Sequence, residues 1–238
     1  MPLKYTQILL LAVLFLLQYL VEHLRPQERK YNDWKNEKFN LGIGVLNVLL
    51  NFIPASLLVY LLEIIDQNAI GLLKQFTIPL GLQIIITIAL LDLWMYVWHR
   101  LNHTIPFLWR WHLFHHRDQK MNTTTAVRFH IVELLLSVPG KAVIYCVFGY
   151  SFLPVIIYEI VFFSSIVFHH SNIRIVHRTD RIYSILFASP IMHRIHHSKR
   201  REETHSNYGA VFSVWDRLFR SWKTEPNGTI VFGVDEYQ

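Results

Sequence analysis

Residues 5 to 21 and 39 to 62 contain no Asp, Glu, Lys or Arg, and residues 75 to 98 contain a single charged side chain, Asp92. A helix crossing the hydrocarbon core of a bilayer needs about 20 mostly apolar residues. These stretches therefore predict an all-α, polytopic integral membrane protein. Further apolar stretches lie on either side of Gly149-Tyr150-Ser151, so the candidate spans are residues 5–24, 41–64, 77–98, 131–148 and 152–169. That is four to five membrane helices. The last two are short and interrupted by Lys141 and Glu159, so a hairpin that does not fully cross is the alternative to two spans. Residues 5–24 follow one lysine and precede no A-x-A-like cleavage site, which favours an uncleaved helix over a signal peptide.

Orientation follows from the Lys and Arg bias near span ends. Residues 25–38 hold Arg25, Arg29, Lys30, Lys35 and Lys38; residues 99–130 and the tail beyond His170 are similarly basic. The opposite ends carry only Lys4 and Lys74, with nothing near Gly149. The basic regions then share the cytoplasmic side, with the N-terminus outside. The formal net charge of +6 belongs to these flanks, where it opposes anionic headgroups; nucleic-acid binding is not expected. The single cysteine, Cys146, excludes an internal disulfide and Cys-rich metal motifs. Gly42-x-Gly44 is read as a helix-packing feature, because no phosphate-loop pattern surrounds it.

Of the 14 histidines, ten fall into four groups: His99 and His103; His112, His115 and His116; His169 and His170; His193, His196 and His197. Residues three or four apart share a helix face, so the H-x-x-x-H pair and each H-x-x-H-H triplet are expected to converge on one point. Pro106 separates the first pair from the first triplet, and Ser189-Pro190 reads as an N-cap with proline at the first helical position. Each group then has its own helix, and all four lie on the predicted cytoplasmic side. A lone H-x-x-x-H is often only a surface pair; two triplets plus the pair on one membrane face make a metal site. Imidazole suits iron, zinc, copper and nickel alike. Eight or nine imidazoles exceed what one ion accepts and imply two metals, which at a membrane face points to dioxygen chemistry on lipid.

The string Trp98-His99-Arg100-x-x-His103, His112-x-x-His115-His116, His170-Ser171-Asn172 and Met192-His193-Arg194-x-His196-His197-Ser198 resembles the fatty acid hydroxylase and sterol desaturase superfamily. Asn207-Tyr208-Gly209 and Trp215-Asp216-Arg217-Leu218-Phe219 are similar to its C-terminal signature, so the resemblance runs from about residue 90 to 222. It implies a di-iron oxygenase that uses O2 and electrons from an external donor to hydroxylate or desaturate an unactivated C–H bond of a lipid. The implied ligands are His99, His103, His112, His115, His116, His170, His193, His196 and His197, holding two iron ions, with zinc an alternative in isolated protein. His169 falls outside that pattern. His130 and Glu133 resemble a family segment with a supporting role, and Asn172, Asn207 and Asp216 sit within the matching motifs.

Asp92 lies seven residues before His99 and Glu159 eleven before His170, so both are candidates to receive a ring N–H from a ligating histidine. A helix–helix hydrogen bond is the competing reading for each. His23, His177 and His205 are expected at the surface or interface. Residues 198–222 combine Lys199, Arg200 and Arg201 with Val211, Trp215, Leu218 and Trp222 at helical spacing, which suits an interfacial helix covering the site. The expected organisation is N-terminal membrane helices over 1–76 and a catalytic segment over 77–238 that includes a cytoplasmic histidine-rich helical cap. No group apart from the metal ligands is expected to do the chemistry. The rival readings are a non-catalytic metal-binding or metal-transport membrane protein and a zinc hydrolase. Transport sites usually lie at the midplane of broken helices, and neither triplet carries the H-E-x-x-H glutamate of a hydrolase.

Overall fold

The computed structural model describes residues 2–234. Residues 235–238 of the expected 77–238 segment lie outside the described residues, as does the side chain of Lys4, which entered the orientation argument. The chain is helical, with no β-strand among the described residues and only two isolated bridges, Pro26 with Ile173 and Phe187 with Phe212.

Helix α1 (Pro2–Leu24) is followed by α2 (Trp34–Leu50), which Asp33 caps by accepting from the backbone N–H of Lys35 and Asn36. The chain turns between α3 (Phe52–Gln67) and α4 (Leu80–Thr104) and again between α6 (Ile131–Phe148) and α7 (Phe152–His170), with the short α5 (Pro106–His116) between the two pairs; α3 packs on α6 and α4 on α7. Pro106 opens α5 where its missing N–H costs nothing. The two turns meet. Gly149 caps α6 at φ 72°, and a Cβ there would lie 2.2 Å from the Ile70 carbonyl oxygen, so only glycine fits this crossing. The opposite ends of α4 and α7 carry His99, His103 and His170, which places the histidines at the end remote from that crossing.

Four stretches, Phe52–Gln75, Leu80–Thr104, Ile131–Phe148 and Phe152–His170, are long and apolar enough to cross a membrane, and Leu9–Leu24 is a shorter apolar helix. Their outward residues remain exposed, as at Phe52, Ile53, Leu57 and Ile85. Facing apolar side chains outward while burying polar ones is the pattern of a chain whose solvent is lipid. The protein is an integral membrane protein.

Two expectations are corrected. Residues 41–64 are not one span: the helix breaks at Asn51 between α2 and α3. Pro54 has no N–H to give the Leu50 carbonyl four residues back, and its ring crowds that carbonyl. The Asn51 side chain and backbone N–H both donate to the Asn47 carbonyl, at 3.0 and 2.9 Å, at the end of α2. Residues 198–222 do not make an extended helix either. After α8 (His177–Tyr183) and α9 (Pro190–His196) they form only α10 (Arg201–Thr204) and α11 (Val214–Leu218), joined by loop. The buried carboxylates of Asp92 and Asp216 capture backbone N–H groups of that segment at Tyr208, Gly209, Val211 and Phe212, and so hold it as a loop.

Candidate metal centre

Helices α4, α5, α7 and α9 deliver the histidines to one polar interior. Ser189 caps α9 by accepting from the Met192 N–H at 3.3 Å, with Pro190 at its first position, as the sequence predicts. Nine imidazoles form two groups, each with one ring nitrogen per residue within 4.8 Å of the others: His99, His103, His112, His116 and His196; and His115, His170, His193 and His197. Neither triplet converges on a single point as its spacing suggested. Successive helical residues are about 100° apart, so positions i and i+4 stay together while i+3 falls to the side. Thus His112 and His116 enter the five-membered group and His115 the other, whereas His193 and His197 enter the four-membered group and His196 the other.

Ring orientation is set from outside each group. Nδ1–H of His99 donates to the Tyr208 carbonyl at 2.9 Å, that of His196 to the Ser206 carbonyl at 2.6 Å, and that of His112 to Glu133 Oε1 at 2.9 Å. In the second group His115 donates to the Arg128 carbonyl at 3.2 Å and His170 to the Ile166 carbonyl at 2.6 Å. With the proton fixed on Nδ1, each Nε2 is left as a lone pair pointing inward.

The Nε2 atoms meet in the interior, and at His115 and His170 lone pair faces lone pair. His170 Nε2 lies 3.0 Å from His115 Nε2 and 2.9 Å from His193 Nε2, and His112 Nε2 lies 3.2 Å from His116 Nε2. Two imidazoles bound to one ion at about 2.0–2.1 Å stand about 2.9–3.4 Å apart. Among the described residues Nε2 of His99 and His196 and both ring nitrogens of His103 and His197 have no hydrogen-bond partner despite their burial. Burial is the main cause holding His115, His116, His193, His196 and His197 well below the ordinary imidazole range, and neighbouring imidazoles add to it. Neutral, inward-facing donors of this number fit cations, so the residues present suit two metal ions.

The supporting candidates take different places. Glu133 touches the cluster directly through His112. His130 lies tilted against Trp111, at 4.6 Å between ring centroids, and caps α6 by accepting from the Val132 N–H. Asp92 touches no histidine among the described residues; it accepts from the N–H groups of Val211 and Phe212 and from Trp215 Nε1. Glu159 likewise turns away, to Lys141 Nζ at 3.1 Å. Asp216 accepts from the Tyr208 and Gly209 N–H groups and Ser221 Oγ, and burial raises its carboxyl to about 6. A Cβ on Gly209 would lie 2.8 Å from that carboxylate, while Asn207 at φ 55° donates to the Met192 and Lys223 carbonyls. Together these three fix the loop whose carbonyls orient His99 and His196.

Asn172 ties the end of α7 to the 25–32 segment through the Glu28 carbonyl and Asn32 Oδ1. His169 packs tilted against His193, ring centroids 3.9 Å apart, but belongs to neither group. His205, expected at the surface, is half-buried against His103 and Trp109. What the sequence left out is chiefly backbone: the carbonyls of Arg128, Ile166, Ser206 and Tyr208 carry no side-chain signature.

A cavity of about 480 Å³ opens from the histidines into the helical bundle. His99, His112, His115, His170 and His193 line one part of it, and Met95, Trp98, Leu134, Phe162, Phe163 and Ile166 give it apolar walls.

The fold and site define a membrane protein with two groups of histidines that could each hold a metal ion, at one end of an apolar cavity. Residues 84–221 match the family model for fatty acid hydroxylase, and the chain belongs to that family. It is 25% identical over 221 residues to the ornithine lipid hydroxylase OlsE of Rhizobium tropici, covering 87% of this chain and 64% of that protein. It is also 28% identical over 134 residues to the alkylglycerol monooxygenase of Caenorhabditis elegans, covering 56% of this chain and 26% of that protein. The human alkylglycerol monooxygenase is 25% identical over 144 residues, covering 60% of this chain and 31% of that protein. The chain thus spans under two thirds of the length of these curated relatives. No solved structure matches it.

Proposed function

We propose that this chain is a membrane-bound oxidoreductase that inserts oxygen from O2 into an unactivated C–H bond of an amphipathic lipid, or desaturates it, using electrons from an external donor. The observation that carries the reading is the pair of imidazole groups whose inward ring nitrogens stand 2.9–3.2 Å apart, opening onto an apolar cavity. His99, His103, His112, His116 and His196 would hold one iron ion and His115, His170, His193 and His197 the other. Bound iron supplies the electron transfer to O2 and the oxidation of the C–H bond. Hydroxylation by this route balances as R–H plus O2, two electrons and two protons giving R–OH and water.

The chain's own residues do the rest. The backbone carbonyls and Glu133 hold the Nδ1 proton of His99, His112, His115, His170 and His196, so their Nε2 atoms stay available as ligands and their rings cannot rotate. The walls formed by Met95, Phe162 and Ile166 exclude water and align an alkyl chain beside the histidines. Relatives named for action on ornithine lipid and alkylglycerol support an amphiphile rather than a free hydrocarbon as substrate. In this reading residues 1–76 are the N-terminal membrane helices and residues 77–238 the catalytic segment, and the basic flanks support a cytoplasmic histidine face.

The test is metal content of protein made with iron, followed by O2-dependent turnover of a membrane lipid extract with a chemical reductant. About two irons per chain and an oxygenated or desaturated lipid are expected; His196→Ala should lower iron to about one per chain and bring turnover to background. Turnover unchanged in that variant would overturn the site, and a stable two-metal protein without O2-dependent turnover would favour metal storage or transport.

A further inference from the structure

Lys141 and Glu159 sit inside the candidate spans of α6 and α7 and on the wall of the same cavity. Lys141 Nζ donates to Glu159 Oε1 at 3.1 Å, and the two side chains keep 20% and 29% of their surface exposed. Ionisable groups at this depth are expensive and mark sites that handle polar matter. Two independent readings place the pair away from the metal centre. Lys141 lies eight residues beyond Glu133, about 12 Å of helix rise, and Glu159 lies eleven before His170, about 16 Å. Between the two ends the lining is apolar, at Leu134, Phe162, Phe163 and Ile166.

A clasp between two helices does not need this pair, because apolar packing of similar volume does as well or better in low dielectric. The pair also has capacity to spare. An ammonium has three donors, and among the described residues Lys141 uses one, while Glu159 Oε2 accepts no hydrogen bond. Ser137, one turn from Lys141, lines the same region.

We propose that Lys141 and Glu159 form a polar subsite of the lipid cavity. It takes an uncharged substrate group that both accepts and donates hydrogen bonds, a secondary amide or a hydroxyl-bearing ester. The pair is neutral overall, so a singly charged group would arrive without a counter-ion, whereas a carbonyl meets Lys141 and an N–H or O–H meets Glu159. Held there, the substrate presents to the histidines a carbon at a fixed distance from its polar group. The inference rests on the cavity being the lipid site.

The experiment uses the full chain in phosphatidylcholine nanodiscs and two photoreactive probes of equal length. One is the N-methyl amide of a fatty acid bearing a terminal diazirine; the other is the matching hydrocarbon. Labelled cavity residues are quantified by mass spectrometry. The amide probe is expected to label about tenfold more than the hydrocarbon, the worth of one hydrogen bond to a charged group. Lys141→Met/Glu159→Met, which leaves no lone buried charge, should keep its metal content and bring the ratio to unity. Glu159→Gln, which preserves size, should lower the ratio if the double variant does not fold. A ratio of unity in the wild type, or a ratio unchanged in either variant, overturns the subsite. Metal content and O2-dependent turnover are read separately: preference without turnover keeps the subsite and ends the oxygenase reading, and turnover without preference does the reverse.

Discussion

The two imidazole groups share α5 and α9 but are supported differently. The four-membered group takes its orientation from carbonyls of Arg128 and of Ile166 within α7, both part of the packed interior. The five-membered group depends on one carboxylate, Glu133, and on the loop carbonyls of Ser206 and Tyr208, which themselves hang on Asp216. One centre is therefore carried by the membrane bundle and the other by a long-range contact between a helix and the C-terminal segment. Similar ligands can rest on supports of unequal robustness.

The largest effect separates the groups outright. On the proposed assignment, His112→Ala should lower iron from about two to about one per chain, and His170→Ala should do the same at the other group; either should bring turnover to background. Loss of both ions in both variants, measured by elemental analysis, would show that the groups form one cooperative site and would dissolve the comparison.

Acid comes next. Burial holds the folded pKa of His115, His116, His193, His196 and His197 below the ordinary value of 6.5. The unfolded chain therefore binds protons that the fold refuses, so stability is full above pH 6.5 and is lost as pH falls below it. Melting temperature of metal-free protein should drop steeply from pH 7 to pH 5, and a flat profile would contradict the buried neutral state.

Asp216→Ala should act on one group only. Removing an acceptor shared by two N–H groups and a hydroxyl costs about 1.5–3 kcal/mol for each hydrogen bond to the charge. The melting temperature should fall and the five-membered group should lose metal first in a chelator titration; equal loss from both groups would break the distinction. The smallest expected change is Glu133→Gln, which keeps shape but removes the charge that backs His112. About tenfold weaker metal binding at the five-membered group, with the four-membered group unchanged, is the outcome in chelator competition.

Much of this was legible because it depends on local composition. Charge-free runs of bilayer length dictated helices in lipid, and Pro106 and Ser189-Pro190 marked helix starts, because capping and proline geometry act within a few residues. The nine histidines that gather in the structure are those the sequence motif singled out. Pro54 also carried the signal for the break at Asn51, although hydropathy alone ran through it.

What the sequence by itself determined was an all-helical membrane chain with its imidazoles on one side. Tertiary structure decided how those imidazoles divide, since the 100° step of a helix splits each triplet only once partner helices occupy both flanks. It also decided the fate of the acids. Asp92 and Glu159 have the spacing to point toward histidines, yet backbone N–H groups 119 and 120 residues away claim Asp92 and Lys141 claims Glu159. A carboxylate in low dielectric goes to the strongest donors brought within reach, and only the folded chain determines which donors those are.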